Sequence, residues 1–390
     1  MKITKLHIEG FRSLRDVTWS PGDLNVVIGS NGSGKSNLLA FLEMMAISAK
    51  GGWSKYIQSS GGMDAVVWDG RASEICCGIA SVIAPSLDAK FGYKLQLARI
   101  GNGSSYRIEK ERLFDYLDGD KDDSQRTYLS NFKKKATFVD EKGQFQVIPA
   151  SFLSDDESVL SMLRLHGNEF LMEFQRQIAS IVIYRAFNTN ADAPIRQSAI
   201  TRMEQCVDPD GQNLISVLHT LYTGDRDFKN DINLAMRTAF GDDFDELVFP
   251  PAADQRIQLR VRWKSLKREQ SAADLSDGTL RFLYLLAILA SPNPPPVIAI
   301  DEPETGLHPS MLPVIAEFAI DASKRAQVII TTDSPQMLDA FGDTRPTTTV
   351  AQWQNGETSL RTIKDADLDY WLKEYTLGAL FKSGELEQMA

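Results

Sequence analysis

The pattern of apolar residues near the two ends of the chain predicts alternating strands and helices. Three short runs rich in β-branched residues are typical of buried strands: Val26–Ile28, Val297–Ile300 and Val328–Thr331. Apolar residues at helical spacing follow the first run over positions 38–45, and a strongly apolar helix is predicted over 275–290. We therefore expect an α/β fold in which the ends of the three strands form one site.

The middle of the chain has a different pattern. Residues 51–150 contain short β-like runs separated by glycines, and the acidic, turn-rich stretch 115–125 predicts an exposed loop. Residues 155–240 are mainly helical in pattern, with Asp155-Asp156 as a candidate helix cap and a candidate strand within 178–184. No heptad pattern persists over three or four heptads, so a long coiled coil is not expected.

The stretch GSNGSGKS at 29–36 lies between the first predicted strand and the first predicted helix, and it fits G-x-x-x-x-G-K-[ST]. Glycines let such a loop wrap closely, so that backbone N–H groups and the positive end of the following helix face an anion. Lys35 would reach the β- and γ-phosphates of a nucleotide, and the Ser36 hydroxyl would bind Mg²⁺. An ordinary glycine-rich turn is the alternative. The candidate nucleotide-binding residues here are Gly29, Asn31, Gly32, Ser33, Gly34, Lys35, Ser36 and Asn37.

Two carboxylates follow the second predicted strand. Asp301 and Glu302 come directly after the apolar run, at the end of a strand where α/β sheets place their ligands. Asp301 would hold Mg²⁺ through water, and Glu302 would polarise the attacking water as a general base. An acidic helix cap is the alternative. Ser276 and Gly278 open the apolar helix just before this strand and indicate a second anion site.

The composition of the chain excludes several classes of protein but does not indicate a reaction. The 390 residues suffice for one large or two ordinary domains, and 43% hydrophobic and 24% charged residues are normal for a globular protein. The three cysteines predict neither a disulfide framework nor a metal site. No apolar run approaches the roughly 18 residues of a membrane span, and the N-terminus lacks a signal-peptide pattern. We expect a cytoplasmic protein with no membrane partner.

The order of these features resembles an ATP-binding-cassette (ABC) ATPase, in the soluble branch that contains RecF, the heads of SMC proteins and the OLD-type ATPases. That order is a phosphate loop, an L-S-x-G-x helix and a D-E strand. Further resembling stretches are KITKLHIEGFRSL at 2–14, DEPETGLHPS at 301–310, QVIITTDSP at 327–335 and the C-terminal stretch 371–387, which is similar to the ending of small stand-alone ATPases.

The resemblance implies a two-lobed ABC-ATPase head, that is, a P-loop NTPase fold, with a mixed α/β insertion. Residues 1–50 and 270–390 would form the ATPase core, and 51–269 would be inserted, first β-rich and then helical. Arg12 would approach the nucleotide. His308 is equally well interpreted as a helix-start residue or as part of the contact between subunits.

The resemblance also implies the mechanism and the partners. Two chains would dimerise, or assemble into a higher even-numbered oligomer, with each ATP between Lys35 of one chain and Ser276 and Gly278 of the other. Hydrolysis through Glu302 would release the dimer. ATP and Mg²⁺ would be the cofactors, and the ATPase would control a separately encoded effector, as in phage-defence operons. The alternative is a RecF-like DNA-repair ATPase.

One position departs from the family pattern. Asp333 stands where the switch loop usually carries a histidine that faces the γ-phosphate. A carboxylate there adds repulsion instead of a hydrogen-bond donor, which predicts slow hydrolysis and gives Asp333 a candidate catalytic role. The alternative is that Asp333 turns away and caps the helix that starts near Pro335.

Two further patterns bear on nucleic acid. Residues 256–264 alternate apolar and basic, which predicts one strand whose basic face, with Arg260, Arg262 and Lys264, would contact DNA or an acidic partner. A solvated strand face is the alternative. Asp365, Asp367 and Asp369 also alternate, but no apolar strand precedes them, so a nuclease site in this chain is not expected.

Overall fold

A computed structural model describes most of the chain: residues 1–82, 90–101, 105–115, 126–163, 168–185, 187–364, 368, 371–372 and 375–389. Its contacts divide the chain into two compact units. Unit 1 consists of residues 1–182, 347–364 and 389–390, and unit 2 of residues 183–346 and 365–388. The acidic stretch 116–125 and the aspartates at 365, 367 and 369 lie outside the described residues.

The strands, in chain order, are β1 Lys2–Phe11, β2 Leu14–Trp19, β3 Leu24–Ile28, β4 Glu74–Val82, β5 Lys90–Arg99, β6 Tyr106–Asp115, β7 Thr127–Phe132, β8 Lys135–Val139, β9 Phe145–Ile148, β10 Val182–Tyr184, β11 Ala199–Ile200, β12 Phe244–Val248, β13 Pro251–Ala252, β14 Arg256–Ile257, β15 Arg260–Trp263, β16 Gln270–Ser271, β17 Val297–Asp301, β18 Gln327–Thr332, β19 Thr347–Gln354 and β20 Glu357–Thr362.

The helices are α1 Lys35–Lys50, α2 Trp53–Ser59, α3 Met63–Val66, α4 Val159–Met162, α5 Glu169–Ala179, α6 Leu214–Gly224, α7 Arg226–Phe240, α8 Asp277–Leu289, α9 Leu312–Ala322, α10 Pro335–Asp339, α11 Leu377–Ser383 and α12 Glu385–Met389. Short 3₁₀ turns lie at Trp68–Gly70, Ala150–Phe152, Pro194–Arg196, Ala272–Asp274 and Pro309–Met311.

Unit 1 is built on an eight-stranded antiparallel sheet with the order β2-β1-β4-β5-β6-β7-β8-β9. Along β1, Leu6 and Ile8 are buried, whereas Lys5 and His7 point to the opposite face, as strand alternation requires. On the buried face, the ring of Tyr93 packs 5.7 Å from that of Phe174 on α5. One face of this sheet therefore carries the core, and the other is exposed.

Unit 1 also contains the strand that precedes the phosphate loop. All five residues of β3 are buried, and β3 pairs in parallel with β19, which forms an antiparallel hairpin with β20. The turn of that hairpin is Asn355-Gly356, with φ of +52° and +83°, as a tight two-residue hairpin turn needs. In this way β20 comes next to β2 and the start of α1.

Unit 2 has a parallel pair at its centre. β17 and β18 pair in parallel, with Asp301 opposite Thr331, in the order β10-β17-β18. The helix α8 is buried on nearly all sides, because it packs against α6, α7 and α9. The three buried strands predicted from the apolar runs are confirmed, since these runs lie within β3, β17 and β18.

Two local predictions are wrong. Residues 256–264 do not form one strand: β14 pairs with β11 and β13, while β15 pairs with β12 and β16 in a separate three-stranded sheet. The positive φ of Asp254 (+59°) and Gln255 (+57°) makes the tight turn that gives β14 its own partner. Asp155-Asp156 do not cap a helix, because α4 begins after Ser158, whose hydroxyl accepts a hydrogen bond from the Ser161 N–H.

A buried carboxylate joins two parts of unit 1. The Glu111 side chain accepts hydrogen bonds from the N–H groups of Val159 (2.7 Å) and Leu160 (2.9 Å). It also accepts one from the Tyr93 hydroxyl at 2.8 Å. Burial raises the pKa of the Glu111 carboxyl, and these three hydrogen bonds oppose that shift.

Replacing Glu111 with glutamine is expected to lower the free energy of unfolding by about 1–3 kcal/mol, because one backbone N–H would face an amide NH₂ group instead of an oxygen. Urea unfolding followed by circular dichroism measures this change. Glu141→Gln, at an exposed loop position, is the matched control. Equal stability of the two variants would contradict a structural role for the Glu111 carboxylate.

Candidate functional site

The predicted phosphate loop connects β3 to α1, as a P-loop requires. Gly32 and Gly34 have φ of +82° and +100°, in the region that favours glycine. A Cβ at Gly34 would lie 2.0 Å from Oγ1 of Thr358, so this position has no room for a side chain. The glycines are therefore required by the backbone and by the neighbouring strand.

Lys35 is the buried cation of this loop. It is only 4% exposed, and its ammonium donates hydrogen bonds to the carbonyls of Gly29 at 2.6 Å and Ser30 at 3.2 Å. The charge is thus folded over the loop that would surround a phosphate. Ser33 is buried, and its hydroxyl has no hydrogen-bond partner among the described residues. A buried cation and a buried hydroxyl without a partner are both suited to a bound anion.

Other residues of unit 1 hold the loop. The Thr358 hydroxyl on β20 lies 2.9 Å from the Ser33 carbonyl and 2.7 Å from the Ser13 hydroxyl. The same Ser13 hydroxyl accepts a hydrogen bond from the side-chain amide of Asn37 at 2.7 Å. Thr358 and Ser13 were missed by the sequence analysis, because nothing in the local pattern of a hairpin threonine or a turn serine shows what it contacts.

Arg12 lies in the turn between β1 and β2, directly before Ser13. Its φ is +47°, which is uncommon for a residue with a side chain, and its N–H donates to the Val66 carbonyl at 2.8 Å. The guanidinium carbon lies 5.5 Å from the centre of the Phe11 ring. The Arg12 Nε is buried and has no hydrogen-bond partner among the described residues, so one of its donors remains for a ligand.

In unit 2, the carboxylate pair lies at the end of β17. The Thr331 hydroxyl donates a hydrogen bond to Asp301 at 2.5 Å, and the Glu302 N–H donates to the Thr331 carbonyl at 3.0 Å. Glu302 has φ of +48°, a conformation that costs free energy for a residue with a side chain. Such strain is found at functional sites, where the surrounding structure maintains it.

Arg281 on α8 helps to maintain the strained conformation. Its guanidinium donates a hydrogen bond to the Glu302 carbonyl at 2.9 Å. Burial lowers the pKa of Arg281, although nearby acidic groups, including Glu304, Glu302 and Asp301, act in the opposite direction. An arginine in an otherwise apolar helix was the signal in the sequence that could have identified this residue.

Glu304 is a further carboxylate that the sequence analysis missed. One of its oxygens accepts a hydrogen bond from the Thr332 hydroxyl, and the other is buried without a partner among the described residues. Burial raises the pKa of Glu304, and the charges of Asp333 and Glu302 raise it further. Four acidic side chains thus surround the ends of β17 and β18: Asp301, Glu302, Glu304 and Asp333.

Asp333 does not cap the following helix, so the alternative interpretation of this residue is wrong. Ser334 is the N-cap of α10, and its hydroxyl accepts a hydrogen bond from the Met337 N–H at 3.3 Å. Asp333 is half-buried and follows β18 directly. The negative charge of Asp333 raises the pKa of Glu304, so Asp333 belongs to the same group of carboxylates.

The predicted second anion site lies at the start of α8. Ser276 caps this helix, accepting a hydrogen bond from the Thr279 N–H at 3.1 Å. A Cβ at Gly278 would lie 2.8 Å from the Gly306 carbonyl, so Gly278 lets α8 pack closely on the loop after Glu302. Arg196 secures the same turn through an ion pair with Asp277. The loop that carries Glu302 and the start of α8 therefore form one assembly.

His308 and the basic residues have other partners. His308 is a helix-start residue, since its Nδ1 accepts a hydrogen bond from the Ser310 N–H at 3.3 Å. Arg262 forms ion pairs with Glu246 and Glu269, and the half-buried Arg260 donates to the Gln258 side chain. The Arg262 side chain is 41% exposed despite these ion pairs, and Lys264 is exposed, so contact of this face with DNA stays a prediction.

The family follows from a comparison of the sequence. The sequence model described as "AAA domain, putative AbiEii toxin, Type IV TA system" matches residues 95–339, more than half of the chain. The chain belongs to this family. A second model, described as "AAA ATPase domain", matches residues 1–142 of this AAA protein. No curated protein matches the sequence.

Solved structures with the same fold are heads of SMC proteins. The SMC head bound to the C-terminal winged-helix domain of ScpA has a TM-score of 0.56 at 16% identity, covering 96% of this chain and 100% of that one. The SMC head from Pyrococcus furiosus, with an extended coiled coil and the C-terminal domain of ScpA, has a TM-score of 0.52 at 14% identity, covering 96% and 99%. The expected α/β head fold of a P-loop NTPase is confirmed.

Two expected absences concern the helices. Within the described ranges no helix is longer than the 16 residues of α1, in agreement with the expectation of no long coiled coil. Among the same residues, none of the helices has both the length and the apolar character that crossing a bilayer requires.

Proposed function

We propose that this AAA-family ATPase is a molecular switch that binds ATP with Mg²⁺, dimerises around it and hydrolyses it slowly. The observation that carries the proposal is the buried Lys35 ammonium, held over a glycine loop at the start of a helix. An ammonium whose described hydrogen bonds go to loop carbonyls is positioned to exchange these carbonyls for phosphate oxygens. The Lys35 ammonium would neutralise negative charge on the β- and γ-phosphates.

The residues present are suited to Mg²⁺ as well as to ATP. Throughout the described part of the chain, no group of three or more His, Cys, Asp or Glu side chains could hold a metal ion. Magnesium commonly takes one or two protein oxygens and completes its shell with water and substrate phosphates. We assign the Ser36 hydroxyl and, through water, the Asp301 carboxylate to this ion.

In the proposed mechanism Glu302 accepts the proton of the attacking water, which binds in line with the γ-phosphate. Arg281 donates a hydrogen bond to the Glu302 backbone carbonyl and would in this way help to orient the Glu302 side chain. At the start of α8, Ser276 and Gly278 would contact the γ-phosphate of the ATP that is bound to the partner chain. Closure of the dimer then depends on the nucleotide, and hydrolysis releases it.

The control of a separately encoded effector in phage defence is the biological part of the proposal. The family description, which names a putative toxin and a type IV toxin–antitoxin system, supports the defence context, and the separate effector comes from the resemblance to stand-alone ATPases. A RecF-like role on DNA has less support, because Arg262 is already paired with two glutamates.

The dimer part of the proposal is tested with two variants of Ser276. Both Ser276→Arg and Ser276→Ala lose the cap of α8, at a cost of about 0.5–2 kcal/mol, but only arginine adds bulk at the proposed interface. We expect Ser276→Arg to bind ATP with unchanged affinity and to remain monomeric by light scattering, whereas Ser276→Ala still dimerises. Dimers of Ser276→Arg with ATP would contradict the assignment of this surface.

Asp333 is expected to keep turnover low, since a further carboxylate opposes the build-up of negative charge at the γ-phosphate. Asp333→His should therefore raise the steady-state rate of ATP hydrolysis, by about tenfold for each 1.4 kcal/mol of repulsion removed. It should also shorten the lifetime of the dimer. Asp343→His, at an exposed position of unit 2, is the control. An unchanged or lower rate in Asp333→His would show that Asp333 is no brake.

A further inference from the structure

The exposed face of the eight-stranded sheet contains a groove that is independent of the proposed ATP site. Its volume is about 640 Å³, and it crosses β1, β2, β4, β5 and β6. None of the residues that line it is an aspartate or a glutamate, although the protein carries a net charge of −10. We call it the cationic groove, after its basic lining residues Lys5, His7, Lys94, Lys110 and Arg112.

Two of these cations lie side by side. Lys94 on β5 is directly opposite Arg112 on β6. Both lie near the ring of Phe114, with the Lys94 Nζ 5.5 Å and the Arg112 Cζ 4.8 Å from its centre. Arg112 also donates to the Thr127 hydroxyl, at 3.1 and 3.0 Å. The fold therefore fixes two positive charges next to each other.

A glycine forms the floor of the groove. Gly78 is opposite His7 on one side and Lys94 on the other. A Cβ at this position would lie 3.3 Å from the His7 Cβ, a tight contact, so glycine keeps the floor clear of a side chain beside His7. Glycine inside a strand weakens it and often marks a place where a ligand approaches the backbone closely. The glycine at 92, in contrast, has a packing role beneath the Phe114 ring.

The dimensions of the groove select the ligand. Its cations extend from β1 to β6, three strand spacings or about 14 Å, which accommodates two or three phosphate groups. The volume falls within the range of small-molecule sites, about 300–1,000 Å³. Single-stranded nucleic acid binds by stacking bases on exposed aromatic rings, but Phe114 is 1% exposed and already covered by the two cations.

We propose that the cationic groove binds a small phosphorylated ligand with two or more phosphate groups, at a site separate from the phosphate loop. Lysine and arginine side chains form charge-assisted hydrogen bonds with phosphate oxygens. None of the residues that line the groove belongs to the loop at 29–36, so a ligand there gives this ATPase a second input that does not compete with ATP for Lys35.

The test uses inorganic tripolyphosphate as the probe and Lys35→Ala as the background, so that the phosphate loop does not contribute. Isothermal titration calorimetry should detect binding to Lys35→Ala. Adding Lys94→Gln and Lys110→Gln should weaken it by about tenfold or more, the value of one charge-assisted hydrogen bond. Adding Lys55→Gln and Lys142→Gln, two exposed lysines of unit 1 that do not line the groove, should leave the affinity unchanged.

Three results would overturn the proposal. They are no binding of tripolyphosphate by Lys35→Ala, equal losses in the two double-lysine variants, or affinity for oligothymidylates that rises with their length and exceeds the affinity for tripolyphosphate. The last result would assign the groove to nucleic acid. Because Lys35→Ala is the background throughout, the test does not depend on the proposed ATPase switch.

Discussion

Lys35→Ala is expected to abolish ATP binding. The substitution removes the only formal positive charge of the loop at 29–36, and the phosphates would then contact neutral groups alone. The bound phosphates would lose a counter-ion that is buried and therefore worth more than a surface charge, so we expect the affinity to fall by at least about a hundredfold. Titration with a fluorescent ATP analogue measures it directly.

Lys50→Ala is the matched control, since Lys50 is an exposed lysine in the last turn of the same helix, α1. The fold of both variants should be intact, because the Lys35 ammonium contacts only the carbonyls of its own loop among its described hydrogen bonds. Retained ATP binding in Lys35→Ala would mean that this loop is an ordinary glycine-rich turn.

Glu302→Gln is expected to stop hydrolysis while ATP binding is kept. The amide has the shape of the carboxylate but cannot accept the proton of the attacking water, which should lower kcat by about 10²–10⁴-fold. The hydrogen bond from Arg281 goes to the backbone carbonyl of Glu302, so the strained loop should keep its conformation in the variant. Single-turnover release of phosphate measures the effect.

The control for this variant is Glu317→Gln, on the exposed side of α9 in the same unit. It should hydrolyse ATP at the rate of the unmodified protein. If Glu302→Gln were also fully active, the general base would be another group, and Glu304 would be the first candidate because of its raised pKa and its buried, unpartnered oxygen.

Candidate site residues that belong to a short contiguous motif could be predicted from the sequence. The phosphate loop was found because its glycines, lysine and serine are adjacent in the chain and are needed in that order. Asp301 and Glu302 were found because an apolar run ends directly before them, and β17 ends there as expected. The apolar pattern also gave the strands around them, since burial of both faces requires continuous apolar runs.

Residues that act through contacts between distant segments were not predictable. Thr358 lies in a hairpin and donates a hydrogen bond to the Ser33 carbonyl of the phosphate loop, although the two residues are 325 positions apart in the sequence. Glu304 differs from a surface glutamate because it is buried and accepts a hydrogen bond from the Thr332 hydroxyl, and the local sequence shows neither property. The strand predicted over 256–264 failed for a related reason, because alternation shows which face is buried but not which strand is the partner.

The molar mass of Glu302→Gln shows whether ATP holds two chains together. Size-exclusion chromatography with light scattering should give the monomer mass without nucleotide and twice that mass with ATP and Mg²⁺. Lys35→Ala should remain at the monomer mass under both conditions. If Glu302→Gln binds ATP and still keeps the monomer mass at every protein concentration, ATP does not hold two chains together.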